Sequence, residues 1–281
     1  MHRVLRVIIA VALLFVSNRL YAAGQFEFGS ELSWFNYEEP NFMEEDGILY
    51  SFFGGYTYLS HENGKVGSFS ELFSNGNTLN RFKVDARIGF GEVDYTSVST
   101  GSADNIDDFI FELRGLAGYD FPVAEDSRIT PFIGFGYRYL NDDSSGLRTT
   151  TGASGYERES NYFYIPVGVE VATELENDWS LSASVEYDIF ISGKQKSHLG
   201  DAIAGLNTVE NDQNDGFGVR GSVRVVKKME KFDVFIEPYV RYWKVDDSDV
   251  APITYSGVLV GFGQEPENNS VESGARIGFI F

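Results

Sequence analysis

The chain has 281 residues, no cysteine and a formal net charge of −20. An acidic balance of that size excludes a nucleic-acid partner, which needs a basic footprint, and the missing cysteines exclude disulfides and thiolate metal centres. With 24 Phe, 16 Tyr and 30 Gly the chain is too aromatic to be a disordered acidic segment.

Arg3 and Arg6 precede an apolar run from Val7 to Val16, and small Ala22 and Ala23 follow. The pattern predicts a secretory signal peptide over residues 1–23, cleaved after Ala22 or Ala23. Its apolar run has about ten residues, where a spanning helix needs about twenty. Residues 24–281 are then expected to form a single domain.

Alternating segments fill that domain, and a period of two marks strands with two different faces. QFEFGSELSW sets Phe26, Phe28, Leu32 and Trp34 against Gln25, Glu27, Gly29, Glu31 and Ser33. ILYSFFGGYTYL is the least regular segment. RFKVDARIGFG sets Phe82, Val84, Ala86, Ile88 and Phe90 against Lys83, Asp85, Arg87 and Gly89. DFIFELRGLAGYDF and PFIGFGYRYL repeat the pattern, with Glu112, Arg114 and Arg138 on the polar side. NYFYIPVGVEV and WSLSASVEYDIF follow, with Glu170, Glu186 and Asp188 on that side. GFGVRGSVRVV and FIEPYVRYW contribute Arg220, Arg224, Glu237 and Arg241. The terminal SGARIGFIF alternates Ala275, Ile277, Phe279 and Phe281 with Gly274, Arg276 and Gly278. The total is ten strands, with eight or twelve as alternatives.

The connections alternate in length. Short ones fall at Pro122–Arg128, Glu174–Asp178 and Val226–Lys231. Long ones fall at Asn36–Gly47, Glu92–Asp107, Asn141–Ser160, Gly193–Asp215 and Asp246–Asn269. The stretch His61–Asn80 breaks the rule, being long where a tight turn is due. Short–long alternation with an even strand count is the pattern of an outer-membrane barrel. The fold expected is therefore all-β: a closed, antiparallel, up-and-down transmembrane β-barrel, its apolar face toward lipid. Trp34, Tyr137, Tyr139, Tyr187 and Tyr242 are expected to mark the outer aromatic girdle, and Trp179, Tyr119, Phe121 and Phe281 the inner one.

The leader, the strand pattern and the closing ARIGFIF resemble small Gram-negative outer-membrane β-barrels of the OmpA-like type, over residues 24–281. That resemblance implies a location in the outer membrane, among outer-membrane lipid and lipopolysaccharide. It also implies that the last strand, with Ala275, Ile277, Phe279 and Phe281, is an assembly signal read by the barrel-assembly machinery.

Turning the polar face inward places nine acids in the lumen: Glu27, Glu31, Asp85, Glu112, Glu170, Glu186, Asp188, Glu237 and Glu272. It places eight bases beside them: Lys83, Arg87, Arg114, Arg138, Arg220, Arg224, Arg241 and Arg276. Near-neutral, arginine-heavy charge in a narrow barrel predicts a cross-linked, largely filled interior, because guanidinium forks satisfy carboxylates two bonds at a time. The net negative charge then belongs to the outer loops, through acids such as Glu38, Glu39, Glu44, Glu45, Asp142 and Asp143. They read as a solvated rim facing an extracellular ligand or surface, or divalent cations that bridge lipopolysaccharide phosphates. No EF-hand spacing occurs, and no metal or cofactor is expected.

The sequence also admits a narrow, porin-like diffusion channel, or an outer-membrane lipase or protease built on His198 with Ser197 and Asp201. Sequence neighbours rarely make a catalytic triad, so a structural or interacting role without catalysis is the favoured expectation.

Overall fold

The computed structural model describes residues 24–59 and 79–281. The expected signal peptide and, apart from Leu79 and Asn80, the long His61–Asn80 connection lie outside the described residues. Fourteen strands are described: β1 (Gly24–Glu39), β2 (Met43–Leu59), β3 (Arg81–Ser97), β4 (Gly101–Gly118), β5 (Phe121–Ala124), β6 (Ser127–Asp143), β7 (Glu157–Leu175), β8 (Trp179–His198), β9 (Thr208–Gln213), β10 (Gly216–Lys227), β11 (Asp233–Val245), β12 (Val250–Tyr255), β13 (Val258–Gln264) and β14 (Asn268–Ile280).

Ten of them form the barrel wall. Each of β1, β2, β3, β4, β6, β7, β8, β10, β11 and β14 pairs antiparallel with the next, and β14 returns to β1. Closure removes the exposed edge that a sheet rich in apolar strands would otherwise present. The seam runs from Glu27↔Ile280 to Glu38↔Asn269. Below it the backbones of Phe26 and Phe281 exchange hydrogen bonds of 3.1 and 2.8 Å.

Four short strands have no counterpart in the sequence expectation. β5 pairs with the start of β6, β9 continues β10's side along the top of β8, and β12 and β13 form a separate hairpin. The long outer connections also prove shorter than expected. Only residues 40–42 turn between β1 and β2, and only residues 98–100 between β3 and β4. A strand needs about 9–11 residues to cross the hydrocarbon, whereas β7 has 19 and β8 has 20. The surplus stands above the membrane as paired strand.

Hydropathy records the boundary. On β1 the outward residues Phe26, Phe28, Leu32 and Trp34 give way to Asn36 and Glu38. On β3, Phe82, Val84, Ile88 and Phe90 give way to Glu92 and Asp94. The inner face changes in the opposite sense. Glu31 and Ser33 of β1 are followed inward by Phe35 and Tyr37, and Arg87 of β3 by Val93, all of them buried. Within lipid the barrel is apolar outside and polar inside. Above lipid it is polar outside and apolar inside, as in a water-soluble barrel; the alternation carries through unbroken on β1 and β7, while on β8 a bulge at Ile191 shifts the inward parity from Phe190 to Gly193, Gln195 and Ser197.

Close packing inside this upper section fixes one glycine. A Cβ on Gly136 would lie 2.1 Å from Cζ of Tyr164, whose fully buried ring occupies the space the missing side chain leaves.

Candidate functional site

The lumen is cross-linked in storeys along the axis. At the periplasmic end Arg81 Nη1 donates to Asp120 (3.3 Å) and Glu170 (3.2 Å), and Arg128 reaches Glu170 at 3.3 Å. One level up, Glu27 receives Lys83 (2.7 Å) and Arg224 (2.8 Å), and Arg224 Nε also donates to Glu237 (2.6 Å). On the facing wall Arg114 joins Asp85 (3.0 Å) to Glu186 (2.8 Å).

The central storey is the densest. Glu31, 4% exposed, gathers Arg87 (3.1 Å), Arg241 (3.2 Å) and Arg276 (3.1 Å). Glu272 accepts from Arg87, from Arg241 at 3.0 Å, from Ser33 at 2.9 Å and from Tyr239 at 3.2 Å. Opposite them Arg220 forks onto Glu112 and donates through Nε to Asp188 (2.7 Å). Tyr164 Oη closes this set by donating to Glu112 at 2.7 Å, and the Arg220 guanidinium lies 5.7 Å from the centroid of Trp243. A buried charge is tolerable only when paired and hydrogen-bonded, and every carboxylate named here has at least one cation.

Of the seventeen lumen residues expected from the sequence, fifteen stand in ion pairs with one another, and Glu170 pairs instead with Arg81 and Arg128, which lie outside the expected set. Arg138 differs. Among the described residues it makes no ion pair; its Nη2 donates to Ser270 Oγ (3.4 Å) and its guanidinium lies 5.4 Å from the Trp243 centroid. A cation–π contact replaces the missing carboxylate.

The sequence reading missed the storeys above. Phe35, Leu49, Val93, Ile106, Ile110 and Leu140 form a buried apolar cluster, and Tyr162, Tyr164, Phe190, Trp243 and Val245 form a second. Over them Arg158 binds Glu39 (2.8 Å), Glu45 (2.9 Å) and Asp142 (2.8 Å). The length of the outer connections expected from the sequence puts Arg158 and these three acids in loops. Their odd–even spacing against exposed Glu38, Glu44 and Asp143 was the signal of continuing strand.

Two cavities flank the packed middle. One, of about 160 Å³, is bounded by Glu27, Lys83, Arg114, Glu186, Arg224 and Glu237 among others. The other, of about 390 Å³, opens at the outer end between Glu45, Asp142, Tyr156, Arg158 and Glu265. They share no lining residue.

Ser197 is buried on the inner face of β8 while His198 is only partly buried on the outer face, and Asp201 Oδ2 accepts from the backbone N–H of Glu157. Alternation along a strand holds adjacent side chains on opposite sides, so Ser197 and His198 do not converge.

Residues 46–226 match the family model of the autotransporter beta-domain. The chain belongs to the autotransporter beta-domain family. No curated protein matches it. Among solved structures it is similar to the outer membrane protease OmpT from Escherichia coli, at 10% identity and a TM-score of 0.56, over 92% of this chain and 96% of that one. It is also similar to the translocator domain of the autotransporter NalP from Neisseria meningitidis, at 10% identity and a TM-score of 0.44, over 100% and 95%. OprG from Pseudomonas aeruginosa follows at 9% identity and 0.35, over 92% and 97%. At such identities the likeness to OmpT is one of fold. The family, the closed barrel and the apolar belt place this autotransporter-family barrel in the outer membrane of a Gram-negative bacterium. The OmpA-like resemblance holds at the level of an outer-membrane barrel, and the family that matches is the autotransporter beta-domain.

Proposed function

We propose that this barrel is a sealed structural and interaction module of the outer membrane, closed along its axis in the manner of the small OmpA-like barrels and presenting an acidic upper section to the exterior. The observation that carries this reading is the separation of the two cavities by the Glu31–Glu272 and Glu112–Arg220 storey with the apolar clusters above it. Barrels of about eight strands have room only for side chains, and aqueous channels need about sixteen. Ten strands lined by paired arginines lie near the closed end. The partners that suit the outer face are lipopolysaccharide and envelope or host surfaces, through carboxylates such as Asp46, Asp94 and Asp107 that stand just above the belt. The last barrel strand would be the segment recognised during assembly. No catalytic role is included.

The family match favours a second reading, passage of a linked segment across the membrane. That function needs a lumen that opens, so one experiment addresses both. Purified barrel reconstituted in planar bilayers is expected to give no steady current. A steady conductance that disappears without protein would overturn the sealed reading in favour of a narrow channel or a translocation pore.

A further inference from the structure

We propose that Glu157, Glu159 and His198 form a zinc-class metal site on the outer surface of the barrel, in the headgroup layer above the aromatic girdle. The three residues come from β7 and β8, and their ligand atoms all lie within 4.8 Å of one another. Glu157 and Glu159 share the outward face by the period of two. The antiparallel register that pairs Arg158 with Ser197 brings His198 alongside them. Phe163 and Tyr137, on the same wall, mark the top of the belt, with Tyr137 Oη donating to Asn161 just beneath the site.

Three observations point to a cation. First, His198 Nδ1 lies 3.2 Å from Thr208 Oγ1. A ring N–H donating to that hydroxyl leaves the lone pair on Nε2, the arrangement in which imidazole ligates a metal. Second, Nε2 is enclosed and makes no hydrogen bond, although Glu159 Oε1 is only 3.4 Å away. With the ring proton on Nδ1, the Nε2 lone pair faces this carboxylate, and a bound cation would offset that repulsion. Third, Asp143 stands directly across from Glu157, and like charges directly opposite destabilise a sheet unless a counter-ion intervenes. Asn141 Nδ2 orients Glu157 from 2.8 Å. The nearest competing cation, Lys196, is 4.0 Å from Glu159.

Tetrahedral zinc with bonds of about 2.0–2.2 Å sets its donors about 3.4 Å apart, so side-chain rotations that bring these atoms together by up to about 1.4 Å close the site. One imidazole and two carboxylates leave at least one position for water or for an anionic headgroup oxygen. Magnesium and calcium prefer oxygen donors alone, whereas imidazole suits zinc, copper and nickel. The site would therefore retain its ion among the magnesium-rich lipid phosphates.

The test uses the full chain in detergent, without a histidine tag, stripped with chelator and titrated with zinc against a chromophoric competitor in millimolar magnesium. Wild type is expected to bind one zinc per chain. His198→Ala and Glu159→Gln are each expected to weaken binding at least tenfold, while His61→Ala leaves it unchanged. Heat-modifiable migration confirms that each variant is a folded barrel. Absence of stoichiometric zinc in the wild type, or wild-type affinity in either His198→Ala or Glu159→Gln, would overturn the site.

Discussion

Arg220 of β10 and Glu112 of β4 meet across the lumen, Nη1 to Oε2 at 3.0 Å, although their strands are not neighbours in the wall. The contact ties opposite sides of the barrel together, and it does so where Tyr164 and Asp188 complete the polar shell.

Removing one partner of this pair exposes the cost of an uncompensated charge. Arg220→Ala leaves Asp188 without a cation and Glu112 with only Arg87, at 3.7 Å, and is expected to lower stability by about 3–5 kcal/mol. Glu112→Gln combined with Arg220→Gln is expected to cost less than the sum of the single changes, with a coupling of about 1–3 kcal/mol. Urea unfolding of the detergent-solubilised barrel measures both, and additive losses would contradict a direct cross-lumen tie.

Arg158 has a different task, because it holds the section above lipid. Arg158→Leu leaves Glu39, Glu45 and Asp142 without their cation. The belt should stay folded, so the heat-modifiable band persists, while amide exchange around Met43–Glu45 rises at least tenfold. Unchanged protection there would mean that the apolar cluster alone secures the top.

Glu265 makes that upper section sensitive to pH. Burial, and then the neighbouring Glu39, push its carboxyl up to about 7, against Arg158 and the hydrogen bond from Tyr37, which pull it down. The folded chain thus holds this proton more tightly than the unfolded chain does. The corresponding stability is fully present below about pH 4.5 and is lost as pH rises through about 7. Exchange protection at Ser248, whose N–H donates to the Glu265 carbonyl and whose Oγ accepts from the Glu265 N–H, should be greater at pH 5 than at pH 8, by roughly 1–3 kcal/mol. Glu265→Gln should flatten that difference.

Side-chain direction can be tested on one strand pair of substitutions. Val167→Arg, at the middle of the outward apolar run of β7, is expected to destabilise the barrel by about 2–4 kcal/mol. Glu92→Arg, outward on β3 but above the belt, is expected to stay within about 0.5 kcal/mol of wild type. Equal effects at the two positions would contradict the boundary drawn between them.

At the seam, Phe281 stacks on Phe28 with ring centroids 5.5 Å apart and touches Phe232 at 6.0 Å. Phe281→Ala loses both contacts. The yield of heat-modifiable barrel in the outer membrane should fall, whereas Phe262→Ala, exposed on the outer hairpin, should leave it unchanged.

Which side chains of a crossing point to lipid and which to the axis is legible in the chain alone, because the strand period is two and hydrocarbon tolerates only apolar groups on the outward parity. The runs Phe82–Phe90 and Phe163–Val171 each announce one crossing, and the acids and arginines between them announce the lumen. Tertiary structure alone decided who meets whom. Arg87 finds Glu272 from 185 positions away, and that pairing follows from strand stagger and barrel closure, which no local pattern encodes. It also decided the fate of the outer acids. Glu38 and Glu39 read alike in the chain, yet one meets solvent and the other Arg158, because strand pairing continues past the level at which the lipid ends.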